Sequence, residues 1–151
     1  MIIAVSSDEY GQLVEQLFHQ LQKRGHETIY FGPESGEDSQ DWPVVTQKAI
    51  DEVVQGHADE AIVMCWTGTG CSIVANKING IRAALCLDAQ TAEGARIWNH
   101  ANVLALSQRV TSPAILEEIL DAWFGTPLSS DQWNITQVDR VNALDENRKS
   151  D

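Results

Sequence analysis

Positive charge is what this chain has least of: ten Lys and Arg stand against 22 Asp and Glu, a formal charge of −12 over 151 residues. Such a balance argues against nucleic acid or an anionic membrane as partner, since binding there rests on many Lys and Arg contacts. It also repels phosphorylated metabolites at long range, so any such ligand needs a local pocket of positive potential. Cysteine is scarce too, with three residues. An odd number argues against a disulfide framework and fits a reducing compartment. No apolar run approaches the roughly 20 residues that span a bilayer. The N-terminus has neither a basic region nor a cleavage site, and the cytoplasm is the expected location. Repeats, low-complexity segments and interdomain linkers are absent, which leaves one expected domain over 1–151.

What is present centres on Glu60-Ala-Ile-Val-Met-Cys-Trp-Thr-Gly-Thr-Gly-Cys-Ser-Ile-Val-Ala-Asn-Lys77. Ala61 to Met64 is a short apolar run of the kind expected of a strand buried on both faces. Thr67, Gly68, Thr69 and Gly70 are small residues that let backbone amides approach a ligand closely. Ser72 to Lys77 then reads as a helix. Strand, glycine turn and helix together favour an anion, because unpaired N–H groups and the positive end of the helix dipole converge there. Cys65 falls at the strand's carboxyl end, and Cys71 in the first helical turn, where the dipole lowers a thiol's pKa. The Gly-Lys-Ser/Thr of a nucleotide P-loop is missing.

Around that stretch, strands and helices alternate. Met1–Val5, Thr28–Phe31, Ile81–Leu87 and Asn102–Leu106 read as further strands. Leu13, Val14, Leu17, Phe18 and Leu21 recur at three and four, the mark of an amphipathic helix closed by Gly25. Asp41-Trp42-Pro43 starts a helix to about Gln55, with Asp41 as cap. Ala89–Trp98 and the segment from Ser112-Pro113 to Gly125 are helices as well. A polar helix from Ile135 to Arg148 closes the tail that begins at Ser129. Its weak apolar periodicity suggests packing against a second subunit. The pattern implies an α/β fold, a doubly wound, Rossmann-like parallel five-stranded sheet sandwiched by helices. Ligands of such sheets bind outside the strands' carboxyl ends, which selects Asp8, Cys65 to Ser72, Asp88 and the loop after Leu106. Cys86, in mid-strand, reads as core. His19, His26 and His57 read as surface residues. Neither metal nor cofactor is expected, since Glu9 lacks a His or Cys partner at ligand spacing.

Cys65-x-Thr-Gly-x-Gly-x-Ser-Ile-x-Ala-Asn-Lys77, then Gly80-Ile-Arg-Ala83, Asn99, Asn102-Val-Leu-Ala105, Arg109-Val110, Asp121-Ala-Trp123 and Arg140-Val141 resemble the type B ribose-5-phosphate isomerase and galactose-6-phosphate isomerase family. The resemblance covers nearly the whole chain. It implies aldose–ketose isomerisation of a sugar phosphate through an enediolate. Cys65 matches the residue that removes the proton beside the carbonyl, and Cys71 the place of a glutamate base in another branch. Thr67 and the amides of Gly68, Thr69, Gly70 and Ser72 would hold the enediolate oxygen, with Asp8 and Asn99 on the sugar. Arg109 and Arg140 would bind phosphate, Arg140 from a partner subunit in a dimer or tetramer with shared sites.

Against that family pattern, Glu9 stands where a histidine is usual, Trp42 where a phenolic ring is, Trp66 where a glycine is and Trp98 where the ring-opening histidine is. Thr136 replaces a tail arginine, and His100 lies two positions beyond Trp98 as a candidate substitute. A tetrose 4-phosphate suits these changes: its O4 carries the phosphate, so it cannot close a furanose ring. Trp66 and Trp98 would shrink the cavity to match. The other readings are a ligand stacked on the tryptophans, one subunit of a heteromeric isomerase, and a catalytically silent sugar-binding relative.

Overall fold

The computed structural model describes residues 1–147. Its strands are β1 (Ile2–Ser7), β2 (Glu27–Phe31), β3 (Glu60–Cys65), β4 (Ala83–Leu85) and β5 (Val103–Ser107). Its helices are α1 (Gln12–Lys23), α2 (Trp42–Val54), α3 (Thr69–Ala75), α4 (Ala89–Asn99), α5 (Pro113–Gly125) and α6 (Gln132–Asn147). All strand pairs are parallel, in the order β2-β1-β3-β5-β4. The expected doubly wound α/β sandwich is what forms.

Strand parity divides the core. Ile3, Val5, Ile62, Met64, Leu104 and Leu106 point to the face covered by α1, α4 and α5. Ala4, Ala61, Val63, Cys65, Val103 and Ala105 point to the face covered by α2 and α3. Successive residues of a strand project to opposite faces, so one strand serves both layers. Cys65 therefore belongs to the thinner layer, beneath α2 and α3.

Chain ends of the helices follow local chemistry. After α1, Gly25 takes φ +74°, while His26 N–H reaches Leu21 O and Gly25 N–H reaches Gln22 O. Those two bonds form a Schellman stop. Asp88 and Ser112 accept from Thr91 N–H and Ile115 N–H to cap α4 and α5. Asp41 occupies the cap position of α2 but makes no side-chain cap bond; its carbonyl takes Val44 and Val45 N–H instead.

Three elements differ from the sequence expectation. Helix α3 starts at Thr69 rather than Ser72, because Gly68 at φ +75° turns the chain directly into the helix. Strand β4 keeps only Ala83–Leu85. Side-chain amides replace its ladder at the start, with Arg82 N–H on Asn102 Oδ1 and Ala83 N–H on Asn76 Oδ1. Helix α6 begins a turn before Ile135, where Asp131 Oδ1 accepts Trp133 and Asn134 N–H; Arg148 lies outside the described residues. It is anchored on its own chain: Val138 is buried, Asn142 takes Arg82 Nη1 and Asp145 takes Gly80 N–H. Trp133, Val141 and Leu144 remain exposed.

At the amino end of β3, Glu60 is buried. Its carboxylate pairs with Arg96 Nη1 at 2.8 Å and accepts Trp123 Nε1–H at 2.7 Å. The guanidinium also lies over the Trp123 ring. This charged cluster ties α4 and α5 to the sheet at the end away from the glycine turn. Among the described residues, no helix is long and apolar enough to cross a membrane.

Candidate active site

Strand order reverses between β1 and β3, since β1 is followed by β2 on one side and β3 on the other. That switch point leaves a crevice at the carboxyl ends, and Asp8 and Cys65 stand there. With Trp42, Trp66, Thr67, Thr69 and Gly70 they enclose a cavity of about 280 Å³.

The turn can be built only one way. A Cβ on Gly68 would lie 2.5 Å from Leu85 Cδ1 and 2.9 Å from the Leu106 carbonyl, besides its left-handed φ. Glycine is therefore required. The loop after β5 is stitched to the same turn: Gln108 N–H to Cys65 O at 3.1 Å, Arg109 N–H to Trp66 O at 2.9 Å and Ser107 Oγ to Trp66 O at 3.0 Å. Gln108 also bridges to β1 through Ser7 Oγ and Glu9 O. Thr67 and Thr69 share a hydroxyl hydrogen bond of 2.6 Å at the mouth.

Cys65 is 5% exposed, yet its residue forms part of the cavity wall. Its pKa is held well below the usual thiol range, chiefly by a hydrogen bond from the Cys71 thiol. Main-chain N–H groups of Cys71, Gly68 and Gly70 act in the same sense, against burial. A thiolate at neutral pH is a competent base or nucleophile. Beside it, burial raises the Asp8 carboxyl above its ordinary value, and the Cys65 charge adds to the effect. Asp8 Oδ1 is buried without a protein partner. A sulfur that accepts protons and a carboxyl poised to exchange one, beside the glycine turn that starts α3, suit a reaction that develops negative charge on oxygen.

Other residues singled out in the sequence are distributed unevenly. Glu9 and Trp66 border a second cavity of about 240 Å³ with Gln12, Gln108 and Thr111. It lies at the start of α1, whose cap Gly11 supplies no side chain. Arg109 is exposed beside Trp66. Cys71 is fully buried behind the turn, with Sγ donating to Gly68 O at 3.2 Å, and it does not line the cavity. Ser72, half-buried within α3, does not line it either. Trp98 and Asn99 lie elsewhere, in an apolar groove of about 440 Å³ with Val138, Val141 and Leu144. Arg140 is exposed on α6, bonded to Gln137. Within one chain, then, Trp98, Asn99 and Arg140 do not reach the Cys65 cavity. His100 also lies off it, in the left-handed region at φ 47°, its Nε2 buried without a protein partner. Cys86 is core as expected, His19 and His57 are exposed, and His26 is half-buried against Phe124.

Gln108 is the residue of this region that a motif search passes over. Trp42, noted in the sequence as standing in for a phenolic ring, does line the Cys65 cavity; Gln108 carries no local signal.

Fold and crevice together define an α/β-sandwich enzyme whose glycine-rich turn faces its ligand. The ribose/galactose isomerase family model matches residues 3–142. Ribose-5-phosphate isomerase B of Escherichia coli is 33% identical over 147 residues, 97% of each chain. A D-erythrulose-4-phosphate isomerase of Pectobacterium atrosepticum is 35% identical over 122 residues, 80% of each. The solved ribose-5-phosphate isomerase B of Clostridium thermocellum superposes with a TM-score of 0.90, at 36% identity, over 98% of this chain and 99% of that one. The chain belongs to the ribose/galactose isomerase family, and it is an isomerase.

Proposed function

We propose that this isomerase interconverts an aldose and a ketose that carry phosphate, with a four-carbon 4-phosphate as the preferred substrate. The observation that carries the reading is that Cys65, its thiol depressed in pKa, lines a cavity bounded by the glycine turn. Cys65 takes the proton from the carbon beside the carbonyl. Thr67 and the turn amides hold the enediolate oxygen, and Asp8 moves a proton between the two oxygens. Cys65 then returns its proton to the neighbouring carbon, so no atom is gained or lost.

The four-carbon preference rests on Trp42 and Trp66, which stand on the cavity wall, and on Trp98 in place of the family's ring-opening histidine. The resemblance to a D-erythrulose-4-phosphate isomerase favours the same chain length. The phosphate would lie past Trp66, toward Arg109 and the uncapped start of α1. Trp98, Asn99 and Arg140 would serve the site of a second copy, in a dimer formed over the apolar groove that Val141 and Leu144 line. A single domain with three free thiols suits a cytoplasmic enzyme.

Proton NMR in deuterated water tests the reading on erythrose, erythrulose, ribose and ribulose phosphates. Exchange beside the carbonyl should be fastest with the four-carbon pair and lost in Cys65→Ala. Equal kcat/KM for ribose 5-phosphate overturns the chain-length preference. Binding without exchange makes the protein a silent relative. Mixing Cys65→Ala with Arg140→Ala should restore activity that neither has alone if sites are shared.

A further inference from the structure

The second cavity, at the start of α1, is the part of the crevice that the proposed proton transfers leave unused. Two independent observations mark it as a place for an anion. Val14 and Glu15 N–H both return to Gly11 O, at 3.0 and 3.2 Å. The N–H groups of Gln12 and Leu13, residues that border the cavity, are left without an acceptor among the described residues. Twelve residues of helix stand behind them, and such a helix start favours negative charge. From the loop after β5, Thr111 lines the same cavity while only 7% exposed, and its Oγ1 is buried with no protein partner. A buried hydroxyl left so is costly until a ligand or water takes it up.

The same cavity also carries acceptors. Glu9 is fixed on its wall, its carbonyl taking Ser7 Oγ at 2.6 Å and Gln108 Nε2 at 3.2 Å. Its carboxylate forms no ion pair among the described residues. Gln108 spends both amide N–H groups on Ser7 and Glu9, which leaves its Oε1 as a further acceptor.

We propose that this cavity binds the substrate's phosphoryl group as its monoanion, with Thr111 Oγ1 and the α1 N–H groups donating to its oxygens and its P–OH donating to Glu9. The inference rests on the reading of the substrate as a sugar phosphate. A fully ionised oxyanion has no hydrogen to give Glu9, so the two would meet as bare negative charges. A proton held between them removes that repulsion, as when two acids share a site. Nothing else on the wall offsets Glu9. Residues from α1, α5, the end of β3 and the loop after β5 are neutral, and Tyr10 is the one other titratable group lining this cavity. Asp8 borders the first cavity instead, and Arg109, exposed beside Trp66, lies outside the lining. The cavity therefore separates phosphate esters, which hold a second proton up to a pH of about 6, from sulfate esters, which hold none.

Calorimetric titration of the whole protein with erythritol 4-phosphate, which has no carbonyl and cannot react, and with erythritol 4-sulfate tests this. The phosphate's Kd should rise about tenfold per pH unit between pH 7 and 9, as the monoanion is depleted. At pH 6 the sulfate should bind at least about tenfold more weakly than the phosphate. Glu9→Gln should flatten the pH dependence and admit the sulfate. Because Cys65 and Asp8 are untouched in that variant, their titration cannot be the source of the slope. Thr111→Val should weaken the phosphate about tenfold and keep the slope. Should Thr111→Val fail to fold, Glu9→Gln, at an exposed position, decides alone. Phosphate bound more tightly as the pH rises, sulfate bound as well as phosphate, a slope that survives Glu9→Gln, or no binding of either ester overturns the proposal. Proton-selective binding by a protein that exchanges no hydrogen on any sugar phosphate sinks the isomerase chemistry and leaves this cavity's assignment standing.

Discussion

Trp42 rests on Gly70: a Cβ placed on that glycine would come within 3.1 Å of the indole ring. The first turn of α3 is thus pressed against the first residue of α2, and the contact forms one wall of the Cys65 cavity. Gly70→Ala has opposing consequences. It gains up to about 1 kcal/mol of helix propensity and loses the fit to the ring. In the parent the two should nearly cancel. In a Trp42→Ala background the same change should stabilise by about 1 kcal/mol, and urea unfolding of the four proteins measures the coupling.

Gly68 is far less forgiving. An alanine there meets Leu85 and the Leu106 carbonyl at 2.5 and 2.9 Å and must hold a left-handed φ. Overpacking and the backbone penalty together should cost about 2–5 kcal/mol. The expected result is a lower urea midpoint and the loss of isomerase activity.

Asp8 carries a cost in stability. Burial raises its folded pKa, so its ionised form disfavours the fold at any pH above that value, and its protonated form does not. Asp8→Asn should accordingly raise Tm at pH 7. The gain should shrink as the pH falls through the folded pKa, where the parent's carboxyl is also neutral. Activity should fall at pH 7 and at lower pH alike, and thermal scans and exchange rates report the two effects separately.

Glu60 makes the contrasting case, a charge far from the crevice. Glu60→Ala strands Arg96 and leaves Trp123 Nε1–H without its acceptor. Losing one partner of a buried pair costs about 3–5 kcal/mol. Denaturant midpoints should drop accordingly, while kcat/KM of the protein that remains folded should stay close to the parent's.

Much of this architecture is readable along the chain because its signals are local. Gly25 after α1, Pro113 after Ser112 and the apolar runs of β3 and β5 each act on neighbours within a few residues. The differences come from contacts beyond the nearest neighbours: β4 is short because Asn76 and Asn102 supply side-chain amides at its start in place of ladder bonds. Helix α6 has little apolar period of its own, and Asn142 and Asp145 fasten it to the chain through single polar contacts that leave none. Among the residues at the candidate site, Cys65, Thr67, Gly68, Thr69 and Gly70 are legible as one contiguous motif. Asp8 was legible as a strand end. Trp98 and Asn99 were grouped with them by resemblance alone, and in the chain they face another groove.

From its order of residues, the chain determined that a cysteine ends a buried strand, that glycines follow and that a helix begins at once, because strand period, backbone freedom and capping all act over a few bonds. Only the tertiary structure decided what that cysteine meets. Parity set the sulfur beneath α2 and α3, and the reversal of strand order brought Asp8 alongside. The crossing of α2 laid Trp42 on Gly70, and the turn folded Cys71 behind its neighbour. Those are meetings between distant segments, governed by packing and topology rather than by any local preference.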